Sequence, residues 1–336
     1  MGLWGNWPAH IEAVNDSGHG ATAVSGSVSV IIPAHDAAST IGATLASLAS
    51  ARSLLAEILL VDDASEDGTA DVASEVATEL RLPLRILRVM ARDAGVARNL
   101  GIDASTGQWL YFIDADDLHV AGGLDALLRK AQETPEIDLV AGAYRRKVDG
   151  RLCRIKRPAR LEGVPDTNAY RYLCDRIRAF PVGSVLLSRR SAQKCRFPAS
   201  IPYDEDTIFF ATVLITARAT SVSACVMIYH VSTERGNNRF AGQTHQYLQW
   251  RRALREMRPY GVPKAALQRR AGIVALKIAR VHYARGDMQM AARFLVVAGA
   301  APKSLPDRWR YLRYVMKVGF ATWKDRLSGK PRRAVA

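Results

Sequence analysis

Two acidic clusters, each placed directly after an apolar run, most narrow what this chain can fold into. The first is Ile58-Leu59-Leu60-Val61-Asp62-Asp63-Ala64-Ser65-Glu66-Asp67-Gly68-Thr69; the second is Trp109-Leu110-Tyr111-Phe112-Ile113-Asp114-Ala115-Asp116-Asp117. A parallel strand covered on both faces reads as a continuous apolar run, and ligands gather outside the carboxyl ends of such strands. Packing gives no reason for carboxylates there. Hard oxygen donors on neighbouring strand ends suit a divalent cation, and a cation there suits a phosphorylated ligand.

The rest of the chain supplies the sheet those runs require. Val28 to Ile32 reads as a strand stopped by Pro33, and Ile41, Leu45 and Leu48 fall at helical spacing within Thr40 to Ala51. Strands follow at Glu57 to Val61, Leu84 to Val89 and Trp109 to Ile113. Helices at Ala70 to Leu80 and Val96 to Ala104 lie between them. This alternation predicts an α/β fold, a mostly parallel sheet flanked by helices. Leu124 to Gln132 extends the pattern as a helix, Asp138 to Tyr144 as a strand, and the basic stretch from Arg145 to Arg160 as a hairpin around Asp149-Gly150. Beyond Gln243 the periodicity is helical: Leu267, Val274, Ile278 and Val281 share one face, Gly286-Asp287 breaks the helix, and Met288 to Ala298 resumes it. A single helical hairpin is not a repeat array.

Composition bounds the class. The 336 residues are 49% hydrophobic, enough for a sizeable core in one large or two moderate domains. Cys153, Cys174, Cys195 and Cys225 form no C-x-x-C pair, which disfavours structural zinc and a disulfide framework and fits a reducing compartment. The N-terminus lacks the basic-then-apolar order of a secretory signal, and no apolar run reaches membrane-spanning length. A cytoplasmic protein is expected. Charge is uneven: residues 245–336 carry 21 Lys and Arg against 4 acids, whereas residues 1–244 are net −2. Asymmetry of this kind marks an interaction surface.

Five segments in order resemble the family 2 glycosyltransferases, whose nucleotide-sugar fold is called GT-A. They are Val28 to Asp36, Leu60 to Thr69, Ala97-Arg98-Asn99-Leu100-Gly101-Ile102, Tyr111 to Asp117, and Tyr203-Asp204-Glu205-Asp206-Thr207. The resemblance covers roughly residues 27 to 240. It divides the chain into a loose leader (1–26), a GT-A catalytic domain (27–244) and a basic helical C-terminal region (245–336).

The resemblance also assigns roles. Pro33, Ala34, His35 and Asp36 would turn against the nucleotide base and ribose. Asp63 would accept the imide N–H of a uracil or thymine, since a carboxylate only accepts hydrogen bonds. Asp62 would fix the turn, and Ser65, Asp67, Gly68 and Thr69 also read plainly as capping and turn residues. Asp114-Ala115-Asp116 is the D-x-D pair, and strand alternation puts both carboxylates on one side. Asp116 would be the direct ligand of Mn²⁺ or Mg²⁺, with Asp114 nearer the ribose and Asp117 in support; the alternative is an acidic loop opening the next helix. Arg98 would brace the acidic cluster or contact phosphate, or else form an ordinary salt bridge.

Glu205 and Asp206 would start a helix beside the acceptor, with Asp206 as general base and Glu205 orienting it or binding acceptor hydroxyls. Asp204 leaves that choice ambiguous by one position, and an acidic first turn favoured by the helix dipole is the plain alternative. Arg235, in the loop after Tyr229, would neutralise leaving-group charge, and His230 would be either a further metal ligand or a structural histidine. This stretch departs from the commoner family pattern of an aromatic-Arg step followed by Gly-Ser.

In the tail, Trp309, Leu312, Met316, Phe320 and Trp323 share one helical face, and Arg310, Arg313, Lys317 and Lys324 another. Indoles beside cations suit an anionic bilayer surface; a helix packed on the catalytic domain is the alternative. No motif for reading nucleic acid is present.

The function implied is inverting transfer of a sugar from a nucleotide diphosphate sugar, a UDP-sugar, to a hydroxyl of a glycan or lipid-linked glycan. Such a step belongs to cell-surface polysaccharide or lipopolysaccharide synthesis, in the cytoplasm or peripherally on the inner face of the membrane. Two alternatives stand beside it. A nucleotidyltransferase would show a Gly-rich basic loop after the first strand, where this chain has Pro33-Ala34-His35-Asp36. A catalytically silent scaffold would not need carboxylates at every site.

Overall fold

In a computed structural model, the structure described here comprises residues 27–134, 136–158, 160–161, 165–177, 180–201, 203–231, 244–258, 261–301 and 305–327. The leader 1–26 and Arg235 lie outside the described residues. Each apolar run forms a strand: β1 (Val28–Ala34), β2 (Leu55–Asp63), β3 (Leu84–Val89) and β4 (Trp109–Phe112). They pair in parallel in the order β3-β2-β1-β4, with Ile31 opposite both Leu59 and Phe112. That register brings the carboxyl ends of β2 and β4, with their acidic clusters, to either side of the end of β1.

Alternation along these strands builds two cores. Val30, Ile32, Ile58, Leu60, Tyr111 and Ile113 face one way, against α1 (Ala38–Leu48), α2 (Thr69–Glu79) and α4 (Gly123–Glu133). Ile31, Leu59, Val61, Leu110 and Phe112 face the other, towards α3 (Ala94–Ala104) and the later helices. α3 sits close on the sheet because Gly101 has no side chain: a Cβ there would lie 2.4 Å from Ile31 Cγ2.

Past β4 the sheet becomes mixed. β5 (Leu118–His119) precedes α4, and β6 (Leu139–Val148) turns through Asp149-Gly150 into β7 (Arg151–Leu152). Both turn residues have positive φ, as a two-residue hairpin needs. After α5 (Pro165–Leu173), β8 (Val185–Ser188) is antiparallel to both β4 and β6. The short α6 (Arg189–Ala192) and α7 (Glu205–Thr216) lead to the long β9 (Ala219–Val231), parallel to β6 and antiparallel to β5.

Three C-terminal helices follow, α8 (Thr244–Arg255), α9 (Lys264–Ala284) and α10 (Met288–Gly299). Tyr247, Trp250, Leu267, Val274 and Phe294 belong to the same core as Phe209 and Phe210 of α7. α11 (Leu305–Leu327) docks on α10 and α9 through Tyr311, Tyr314 and Val318 and leaves its tryptophan-bearing face exposed. No helix among the described residues is long and apolar enough to cross a membrane.

Candidate active site

The turns after β1 and β2 are clasped together. Asp36 N–H donates to Ser65 Oγ (3.0 Å), Ala37 N–H to Thr69 Oγ1 (2.8 Å) and Ala38 N–H to Asp67 Oδ2 (2.9 Å), while Glu66 N–H donates back to Asp36 Oδ1 (2.9 Å). The Thr69 hydroxyl and then the Ala38 amide hold the exposed Asp67 carboxyl below its ordinary pKa. Asp62 accepts from Ser65 N–H at 3.2 Å, the turn-fixing contact expected of it. His35 Nδ1 lies 2.7 Å from the Asp63 carbonyl; a carbonyl only accepts, so that nitrogen carries the proton.

Asp63 has a task the sequence did not suggest. Its Oδ1 accepts from Ala91 and Arg92 N–H (2.7 Å each) and its Oδ2 from Asp93 N–H (2.6 Å). The buried carboxylate thus pins the loop leading into α3. Asp93 in turn caps α3 by accepting from Val96 N–H.

The helix so positioned delivers Arg98. This buried guanidinium donates to Asp114 Oδ1 (2.7 Å) through Nη2 and to Glu205 Oε1 (3.3 Å) through Nη1, and stacks 5.3 Å from the Phe197 ring centroid. Burial opposes its charge, but Asp114 and Glu205 more than restore it, leaving its pKa above the ordinary arginine value. Neighbouring Asn99 exchanges two hydrogen bonds with the backbone of Phe197, so it holds the platform under Arg98.

At the end of β4, Asp114 and Asp116 are partly exposed while Ala115 and Asp117 are buried. Asp117 accepts from His230 N–H of β9 at 2.8 Å, and burial, followed by the Asp114 charge, pushes its carboxyl up to about 9. Among the described residues, no three His, Cys, Asp or Glu side chains converge to hold an ion unaided. Mg²⁺-like ions ordinarily use one or two carboxylates and complete their shell with phosphate oxygens, which this edge fits. His230 Nδ1 is buried without a hydrogen-bond partner, and it is the backbone N–H of this residue that meets Asp117.

Glu205 and Asp206 open α7. Asp204 precedes them in the left-handed region (φ 64°) and is bound by buried Arg270 of α9. Glu205 is buried against Arg98; Asp206 is partly exposed and accepts from Thr207 N–H at 2.7 Å. A cleft of about 360 Å³ opens beside Glu205, walled by Arg92, Asp93 and Ser200 and by His245, Gln246 and Gln249 of α8. No motif marks those α8 residues or Arg270 in the sequence; only the fold brings them to the site.

The family model described as Glycosyl transferase family 2 matches residues 29–196. The succinoglycan biosynthesis protein ExoO of Rhizobium meliloti is 27% identical over 216 residues, covering 61% of this chain and 60% of that protein. An Escherichia coli protein, UDP-Glc:alpha-D-GlcNAc-diphosphoundecaprenol beta-1,3-glucosyltransferase WfgD, is 32% identical over 98 residues, 29% of this chain and 38% of its own. The chain therefore spans less than two thirds of the length of these relatives. Among solved structures, Staphylococcus aureus TarS 1–349 in complex with UDP-GlcNAc superposes with a TM-score of 0.57 at 16% identity, covering 91% and 93% of the two chains. The mannosyltransferase PcManGT of Pyrobaculum calidifontis, in complex with GDP-Man and Mn²⁺, gives 0.55 at 18%, covering 90% and 88%. At these identities the likeness concerns the fold, and that fold is GT-A.

Proposed function

The chain belongs to glycosyl transferase family 2, and from that premise we propose that it moves a sugar, with inversion, from a UDP-sugar to a hydroxyl of a glycan or lipid-linked glycan. The observation that carries this reading is Arg98. One buried guanidinium joins Asp114, on the donor side, to Glu205, on the acceptor side, so the two acidic motifs form one site.

In this reading the clasped turn of Pro33 to Asp36 receives the nucleoside. A carboxylate offers about four acceptor positions; three of those on Asp63 hold loop amides, which leaves Oδ2 able to accept a uracil imide N–H. Asp116 would be the direct ligand of Mn²⁺ or Mg²⁺, with Asp114 nearer the ribose and Asp117 in support. A bound ion would offset charge gathering on the leaving diphosphate. Arg235 is proposed to add to that neutralisation.

The acceptor hydroxyl would approach the first turn of α7 by way of the cleft beside Glu205. Its oxygen bonds to the anomeric carbon as the carbon–diphosphate oxygen bond breaks on the opposite face, and its proton passes to Asp206. We read Asp206, partly exposed in the first turn of α7, as the base. A second reading has one specific support: Glu205 itself lines the cleft, so it is the alternative base.

The UDP donor is supported by the complex of TarS with UDP-GlcNAc, and the acceptor class by the names of the succinoglycan and diphosphoundecaprenol relatives. Incubation of the protein with a panel of UDP- and GDP-sugars, with and without Mn²⁺, tests the reading. UDP release that needs both a UDP-sugar and the ion is expected; no nucleotide release from any donor would overturn it.

A further inference from the structure

α11 is held to the body along one side only. Tyr314 meets Tyr283 of α9 edge-on at 5.8 Å, Arg280 lies over the Tyr314 ring at 5.5 Å, and Lys317 lies between the Tyr283 and Tyr314 rings. On the opposite side, Trp309, Leu312, Met316, Phe320 and Trp323 follow one another at three- and four-residue steps and remain 73%, 48%, 66%, 64% and 57% exposed. Scattered apolar residues on a surface are ordinary, but a continuous stripe with two indoles marks an interaction surface.

Cations border the stripe. Helical spacing puts Arg308 along its Leu312 edge and Arg313 along its Phe320 edge, and both side chains are exposed. Arg310 continues inward, lining with Arg269, Lys277, Arg280 and the carboxylate of Asp175 a cavity of about 80 Å³. Residues 245–336 carry 21 Lys and Arg against 4 acids, so a second copy meeting this face would bring like charge to both edges. An anionic surface with an apolar interior complements the edges and the stripe together.

We propose that α11 lies in the plane of an anionic bilayer, its apolar stripe at the acyl boundary and its flanking arginines among the headgroups. Tryptophan favours that depth because its ring is apolar and its N–H seeks a polar partner. A helix of this kind rests in the interface without spanning it. This surface does not depend on glycosyl transfer, and an inactive protein would bind the same membrane.

Flotation of the full chain with vesicles reads the association directly. Co-flotation with phosphatidylcholine–phosphatidylglycerol vesicles, weak with pure phosphatidylcholine and reduced by salt, is expected. Replacing Trp309, Phe320 and Trp323 together by Ser should weaken partitioning about tenfold or more, by loss of buried apolar area. Arg308→Glu with Arg313→Glu should abolish the preference for anionic vesicles. All these side chains are exposed, so the thermal unfolding midpoint should stay at the wild-type value. Vesicle binding unchanged by both sets of substitutions would overturn the proposal. So would sedimentation showing self-association through this face with no vesicle binding.

Discussion

Arg270 and Asp204, 66 positions apart in the chain, form a buried ion pair that joins the C-terminal region to the start of the helix bearing Glu205 and Asp206. Arg270 Nε donates to Asp204 Oδ2 at 2.9 Å, while Nη2 contacts Oδ1 and donates to Thr207 Oγ1 at 2.9 Å. The first turn of α7 is thereby fixed from outside its own helix.

Removing Arg270 alone should be severe, because it leaves a buried carboxylate unpaired. Arg270→Met should lose about 3–5 kcal/mol of stability. Adding Asp204→Asn removes the orphaned charge and keeps a residue that tolerates the left-handed conformation, so much of the stability should return. Turnover should not return with it, since the first turn of α7 loses its anchor to Arg270. Chemical unfolding and kcat on the two variants separate these effects; full recovery of both would reduce the pair to a stability element.

Arg98 should not be replaceable by lysine. An ammonium is a point charge and cannot fork to Asp114 and Glu205 as the guanidinium does. Losing one charge-assisted hydrogen bond corresponds to about 1.5–3 kcal/mol, so Arg98→Lys should lower kcat about tenfold to a hundredfold. Arg98→Ala should unfold more readily as well. Wild-type kcat in the lysine variant would mean that the bridge does not matter to transfer.

Turnover should stop in EDTA and resume when Mn²⁺ is supplied. Asp116→Asn should stay inactive in both conditions yet unfold at the wild-type temperature, because its side chain lies partly exposed at a strand end. Equal wild-type rates with and without EDTA would remove the ion from the scheme.

The two candidate bases are distinguished by where their loss is felt. Asp206→Asn should lower kcat by about 10²–10⁴ with little change in UDP-sugar Kd; Glu205→Gln should lose less. The reverse order would transfer the base role to Glu205, which lines the cleft.

Asp63→Asn keeps one acceptor oxygen and replaces the other by an NH₂ group, where three backbone N–H groups require acceptors. A stability loss of about 1–3 kcal/mol is expected, together with faster hydrogen exchange at residues 91–93 and weaker UDP binding in calorimetry. Unchanged exchange would mean that the loop is held by other contacts.

Apart from the two-residue β5, the strands and helices through Tyr144 were legible because their signals are local: apolar runs, helical spacing and acidic turns. The hairpin at Asp149-Gly150 was legible for the same reason. The antiparallel insertion of β8 between β4 and β6 was not, because three apolar residues and a serine carry no record of their direction. Arg270 was counted only as part of a basic tail, and net charge cannot distinguish a solvated arginine from one locked to Asp204. Asp63 was legible as a strand-end carboxylate, but the amides that occupy it lie 28 to 30 positions away. His245 and Gln249 gave no signal, since polar residues on a helix become a cleft wall only once that helix is docked.

The clasp between the turns after β1 and β2 makes these two segments a single unit of inheritance. The amides at 36–38 need the side chains of Ser65, Asp67 and Thr69, and Glu66 N–H needs the Asp36 carboxylate, so either segment grafted alone from a relative with other side chains would leave donors unpaired. Nucleotide preference should therefore be exchangeable between relatives only when both segments travel together, and a chimera that divides them should bind donor less well than either parent.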